Sequence, residues 1–189
     1  MNKQSTPLYI LRLALTLLII TAVVATALAG VNAITKERIA AIQAEKTQKA
    51  LQAVLPGAVD MQPLELAGDT GIIQRVYAPG ALSSVKGYAV EAAPSGFDGK
   101  ITMMVGIDES GKVVGISIIS HTETAGLGAV AAADTSKGEA FRAQFAGQSE
   151  VLAVDKDGGT IDSLTGATIT SRAVTEGVNA ALEFVRKLG

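Results

Sequence analysis

The sequence predicts an α+β protein: an N-terminal transmembrane helix and a stalk helix, followed by a domain in which helices pack on an antiparallel sheet. Three observations predict it. Residues 13–31, LALTLLIITAVVATALAGV, carry no charge; residues 86–92, 100–107 and 112–120 read as successive short strands; and residues 171–187 repeat apolar side chains at helical spacing.

As a helix, the uncharged run is about 28 Å long, close to the roughly 30 Å hydrocarbon thickness of a bilayer. A cleaved signal peptide is the alternative, because Ala27-Leu28-Ala29 has the small-x-small form of a cleavage site and Lys3 and Arg12 precede the run. The run is longer than the roughly 7–15 residues of a signal core and passes without a break into a helical segment, so it is expected to stay as an anchor. Lys3 and Arg12 on one side compete with Lys36 and Arg38 on the other, so charge leaves the orientation open. The expected organisation is an N-terminal tail over 1–7, an anchor over 8–31, a stalk helix over 32–57 and a folded domain over 58–189.

The stalk stretch, NAITKERIAAIQAEKTQKALQAVL, is rich in good helix formers, with Ile34, Ile42 and Leu51 among its apolar positions and a Glu45–Lys49 pair four apart. Pro56-Gly57 ends it. Beyond it the pattern predicts a strand at Ile72–Tyr77 and a turn at Pro79-Gly80. The strands KGYAVEA, KITMMVGI and KVVGISIIS follow, the last two joined by the turn Asp108-Glu109-Ser110-Gly111. A short helix is expected at 137–146, with Phe141 and Phe145 packed in the core. A strand at 150–155 and a turn at Asp157-Gly158-Gly159 come next. The final helix buries Val174, Val178, Leu182 and Val185 and ends with Arg186 and Lys187, where cations suit the dipole.

Composition excludes several classes of function. Cysteine is absent and His121 is the single histidine, so disulfides, thiolate-held iron-sulfur clusters and ordinary His/Cys metal sites are ruled out. An electron carrier built on this chain needs an organic cofactor. The net charge of -2, without a block of like charges, gives no basis for binding nucleic acid. Neither a catalytic triad nor an acid/base pair is visible.

Two stretches carry more polarity than their places require. SHTETAGLGAV, 120–130, follows an apolar strand, and its Gly126-x-Gly128 pair could let the backbone approach a planar or phosphorylated ligand; as a plain strand exit, it needs glycine only for turns. TIDSLTGATITS, 160–171, precedes the last helix. Thr170 or Ser171 could cap that helix, Asp162 and Ser163 could form an Asx turn, and Gly166 permits an unusual φ. Thr168 also lies where free helix N–H groups and the dipole favour an anion, beside the small Gly166 and Ala167. Local chemistry does not choose among Thr165, Thr168 and Thr170.

The residues Asp162–Thr168, DSLTGAT, resemble the D-x-x-[ST]-G-A-T acceptor sequence of FMN-binding domains, in which a flavin transferase moves FMN from FAD onto the last threonine. The stretch 96–128, GFDGKITMMVGIDESGKVVGISIISHTETAGLG, resembles the second signature of that domain, ending in H-x-E-T-P-G-L-G. With the N-terminal span, the resemblance covers nearly the whole chain, which is similar to the G subunit of the Rnf ion-translocating electron-transport complex. It implies covalent FMN on Thr168, with Thr165, Gly166, Ala167 and Thr170 around the phosphate and ribityl chain. Glu123, Thr124, Gly126, Leu127 and Gly128 would lie beside the flavin. Ala125 stands where the family has proline, so a less rigid loop is expected there. Thr170 and Ser171 would keep the capping role.

The resemblance further implies an electron-carrier subunit of an inner-membrane translocase rather than an independent catalyst. The N-terminus would be cytoplasmic and the flavin domain extracytoplasmic. Its partners would be the other Rnf subunits, the flavin transferase and the lipid bilayer. The C subunit of the sodium-translocating NADH:quinone reductase shares this anchored flavin domain and is the nearest alternative; a membrane-anchored scaffold domain without flavin is the second.

Overall fold

A computed structural model describes residues 6–66, 70–80 and 86–188. Two compact units meet in sequence between Glu45 and Lys46. In the first, helix α1 (Thr6–Val54, continuing into the second unit) exposes Leu11, Leu15, Leu18, Val23 and Leu28. Among the described residues it is the one helix long and apolar enough to cross a membrane. The anchor and stalk segments form one unbroken helix, as the sequence suggested: no proline follows Pro7 within the run and a single glycine, Gly30, falls inside it.

In the second unit the end of α1, including Ala50, Leu51 and Val54, is buried. Its stop is as predicted: Gly57 adopts a left-handed φ of 84° just after Pro56. A five-stranded antiparallel sheet follows in simple order, β1 (Met61–Leu64), β2 (Ile73–Pro79), β3 (Gly87–Ala92), β4 (Thr102–Asp108) and β5 (Val113–Ser120). The short edge strand β1 is not evident from sequence: it has four residues, one of them Pro63, and is mostly exposed. Pro79 closes β2 opposite Met61, and the continuation of that turn beyond Gly80 lies outside the described residues. The β4–β5 turn is as predicted, with Gly111 at φ 77° and the Asp108 carboxylate accepting from the Ser110 and Lys112 N–H groups at 2.8 and 3.0 Å.

The sheet is buried on both faces. Val90, Ala92, Met103, Val105 and Ile107 join the larger core with the apolar stripe of the last helix, α3 (Thr168–Leu188). Alternate positions point the other way, so Ala89 and Met104 pack against Ala50, Leu51, Val54 and Leu55. Gly106 lies so close to α1 that a Cβ there would be 2.3 Å from the Val54 carbonyl oxygen. Helix α2 (Ser136–Ala143) is capped by Thr135, and Phe141 and Phe145 are buried edge to face with centroids 5.5 Å apart.

The expected strand at 150–155 does not form. Leu152 instead exchanges two 2.8 Å hydrogen bonds with the Asn179 side chain, Val154 makes an isolated bridge to Ile161, and Asp155–Asp157 is a short 3-10 turn. At the start of β5 the Val113 backbone pairs with Gln148 and Gly147, just ahead of this segment. Helix α3 also starts three residues earlier than the sequence suggested.

Candidate functional site

Three loops converge at the N-terminus of α3. The first is the turn between β3 and β4, where Gly96 N–H donates to the Gly99 carbonyl at 2.7 Å, placing Phe97 and Asp98 at the tip. The second leaves β5: the Thr124 carbonyl accepts from the Leu127 and Ala129 N–H groups, both at 3.2 Å, and Gly126 takes a left-handed φ of 77°.

The third is the stretch 162–168, which leads into α3. Three side chains pin its backbone from outside: Gln144 accepts from Asp162 N–H at 2.7 Å, Asp155 from Ser163 N–H at 3.0 Å, and Ser171 from Leu164 N–H at 3.0 Å. Gly166, at φ 74°, then reverses the chain and delivers Thr168 as the first residue of α3. The Ser163 side-chain hydroxyl is the main reason that the Asp155 carboxyl is lowered from 3.8 to about 2, with the Ser163 N–H adding to it. Arg172 lowers the Asp157 carboxyl by its paired hydrogen bonds at 2.7 and 2.6 Å, tying α3 to the 3-10 turn beneath it.

The capping roles expected of Thr170 and Ser171 do not hold, because the helix begins before them. Both lie buried inside its first turn. Thr170 donates its hydroxyl to the Glu123 carboxylate, and Ser171 donates to the Ala167 carbonyl at 3.0 Å. The Asx turn at Asp162 is likewise replaced by the outside contacts of Gln144 and Asp155. Thr168, half-buried, has no side-chain hydrogen bond among the described residues.

Glu123 links the three loops. It is 7% exposed; one carboxylate oxygen accepts from Phe97 and Asp98 N–H at 2.9 and 3.1 Å, and the other accepts from Thr170. Two glycines make room for it, since a Cβ at Gly96 or Gly128 would fall 2.3 or 2.5 Å from its oxygens. Thr122 also holds the Asp98 carbonyl. His121, one step back, has a buried Nδ1 without a partner among the described residues.

These loops enclose a cavity of about 320 Å³, within the roughly 300–1,000 Å³ range of small-molecule sites. Of the residues singled out from sequence, Glu123, Thr124, Leu127 and Gly128 line one side, and Gly166, Ala167, Thr168 and Thr170 line the other. Gly126 and Thr165 instead line a neighbouring cavity of about 410 Å³, which shares Leu127 and reaches Phe141 and Asp162. Phe97 and Ile169 also line the first cavity and were not singled out. Both lie within the quoted stretches 96–128 and 160–171, but an exposed apolar side chain has no sequence signal of its own.

The donor set suits a phosphorylated, partly apolar ligand: helix N–H groups at Thr168, hydroxyls beside them, and an apolar rim. The comparisons with known proteins agree. Residues 96–183 match the FMN-binding domain model, and residues 1–54 match the RnfG N-terminal region. The G subunit of the Na(+)-translocating ferredoxin:NAD(+) oxidoreductase complex of Acetobacterium woodii is 34% identical, over 95% of this chain and 93% of that protein. The chain belongs to the RnfG family.

The G subunit of the ion-translocating oxidoreductase complex of Methanosarcina acetivorans is 32% identical over 93% of this chain and 94% of its own. The G subunit of the proton-translocating ferredoxin:NAD(+) oxidoreductase complex of Clostridium ljungdahlii is 45% identical over 52% of each. The FMN-binding match begins at Gly96, so all three loops of the cavity lie inside it. FMN fits the cavity in chemistry: a Cβ at Gly166 would stand 3.1 Å from the Leu127 side chain on the cavity wall, and the α3 N-terminus offers its N–H groups to a phosphate.

Proposed function

We propose that this RnfG-family chain is the membrane-anchored flavoprotein subunit of a complex coupling ferredoxin:NAD electron transfer to ion translocation, and that its FMN is held covalently on Thr168. The observation that carries the attachment site is the contrast between neighbouring hydroxyls. Thr170 and Ser171 are committed inside the helix, whereas Thr168 lines the cavity without a partner among the described residues.

Bound FMN supplies one- and two-electron chemistry. This chain provides a reachable hydroxyl, an anion-favouring helix end and an ordered wall. In the maturation step a flavin transferase brings FAD; a bond forms between the Thr168 oxygen and the FMN phosphorus, the pyrophosphate linkage of FAD breaks, AMP leaves, and the hydroxyl proton passes to a base on the transferase. The covalent bond removes any binding equilibrium, so the flavin is not lost from an extracytoplasmic domain.

The apolar segment of α1 is the single-pass anchor in the lipid bilayer, with residues 1–7 cytoplasmic, 8–31 spanning, 32–57 as stalk and 58–189 as the extracytoplasmic flavin domain. The other Rnf subunits are its redox partners. The quinone-reductase alternative is disfavoured by the match of residues 1–54 to the RnfG N-terminal region and by relatives named for ferredoxin:NAD(+) chemistry.

Denaturing gel electrophoresis under ultraviolet light tests the reading. Protein from cells containing the transferase is expected to fluoresce after denaturation, and Thr168→Ala to be dark while Thr170→Ser stays bright. A dark wild-type band rejects covalent attachment.

A further inference from the structure

Phe97 combines a fixed backbone with an unburied side chain. It is 66% exposed, yet its N–H is held by Glu123 at 2.9 Å, the next residue is held from both sides by Glu123 and Thr122, and Gly96 closes the turn on Gly99. A solvent-facing hairpin tip needs neither a phenyl ring nor a buried carboxylate to stabilise it; polar turn residues are the common solution. The ring lines the same cavity as Thr168. Leu127 and Ile169, 44% and 48% exposed, line it too. Large apolar side chains left in water around a concave, anion-favouring site mark a surface that a ligand covers.

We propose that Phe97 is the aromatic wall for the isoalloxazine ring of the flavin, and that Glu123 is a positioning residue that fixes it there. This rests on the reading of Thr168 as the attachment point. A phosphate fixed at the α3 N-terminus leaves a ribityl chain and a large planar ring to be placed within the same cavity. The apolar rim is the surface chemically suited to that ring, since aromatic faces and edges pack favourably. Glu123 acts through the backbone: its carboxylate joins the Phe97–Asp98 tip to Thr170, two residues beyond the acceptor threonine, so wall and attachment point share one rigid support.

The chain contains no tryptophan, so a single introduced indole is an unambiguous reporter. An excited flavin takes an electron from an indole in van der Waals contact and returns it without emitting, a process confined to contact range. The full-length holoprotein, made with the transferase and kept in detergent, is compared as wild type, Phe97→Trp and Val151→Trp; Val151 is 80% exposed and does not line the cavity. Phe97→Trp is expected to lose most of its native flavin emission and to regain it on denaturation, whereas Val151→Trp keeps the wild-type emission.

In the Phe97→Trp background, Glu123→Gln preserves the clamp, because the amide can accept from the tip and donate to Thr170, and it keeps the quenching. Glu123→Ala, or Glu123→Asp if the alanine variant does not accumulate, is expected to restore emission. Native emission from Phe97→Trp equal to wild type, with flavin present on the denaturing gel, overturns the contact and leaves the attachment reading intact. Quenching that survives Glu123→Ala and Glu123→Asp overturns the positioning role. A gel with no attached flavin in wild type rejects the attachment reading and this contact together.

Discussion

The Glu123 carboxylate receives the hydroxyl of Thr170, 47 positions further along the chain, and through its second oxygen holds the Phe97–Asp98 turn. The pair is buried at both ends, with exposures of 7% and 1%. Leaving the carboxylate with a missing donor therefore carries the desolvation cost of an unpaired polar group, about 1–3 kcal/mol. Thr170→Val is expected to lower thermal stability by that amount, measured as a fall in melting temperature, while Thr170→Ser remains near wild type. Equal melting temperatures for valine and wild type would show that the hydroxyl contributes nothing.

Gly128 is the tightest point of the cavity wall. A Cβ there would stand 2.4 Å from the Thr170 hydroxyl and 2.5 Å from the Glu123 carboxylate. Gly128→Ala is expected to cost about 1–3 kcal/mol through overpacking and to reduce the fraction of protein that carries flavin, read from the ratio of flavin to protein absorbance. Gly115 is the control, because nothing lies within 4 Å of its Cβ position; Gly115→Ala should match wild type in flavin content.

Gly106→Ala tests the opposite face of the sheet. Its Cβ would meet the Val54 carbonyl at 2.3 Å, and neither atom can move without shifting α1 or β4. A loss of about 1–3 kcal/mol is expected, with flavin content of the folded fraction unchanged, since the cavity lies elsewhere. A melting curve together with flavin absorbance separates the two effects.

The pH dependence follows from Asp155. Hydrogen bonding from Ser163 depresses its carboxyl to about 2 in the folded chain, against an ordinary value of about 3.9 when unfolded. A depressed folded value means that the unfolded chain binds more protons in that interval, so stability rises with pH there. The contribution is complete above about pH 4 and is lost as pH falls toward 2. Melting temperature is expected to fall across this window, and less steeply in Asp155→Asn, which starts lower at pH 7 and converges with wild type in acid.

Much of the architecture was legible where local chemistry decides it. The strands β3 to β5, the Asp108–Gly111 turn and the stripe Val174, Val178, Leu182 and Val185 all announce themselves by alternation, turn residues or helical spacing. The failures came where distant groups decide. Residues 150–155 have strand-like composition, but the Asn179 side chain takes up the Leu152 backbone groups. β1 is visible only through its pairing with β2.

The site divides the same way. Local reading found the hydroxyl-rich acceptor stretch and Gly166, and the resemblance selected Thr168. The Glu123 bonds to residues 26, 25 and 47 positions away could not be read from spacing. They remove Thr170 from the set of free hydroxyls, which composition alone left equivalent.

The central claim is attachment at Thr168, and a peptide mass measures it most directly. Trypsin cuts after Lys156 and Arg172, releasing Asp157–Arg172, which contains Thr160, Thr165, Thr168 and Thr170. From cells containing the transferase, this peptide is expected to carry the mass of FMN less one water, with fragmentation placing it on Thr168. An unmodified peptide, or the added mass on Thr165 or Thr170, would contradict the account.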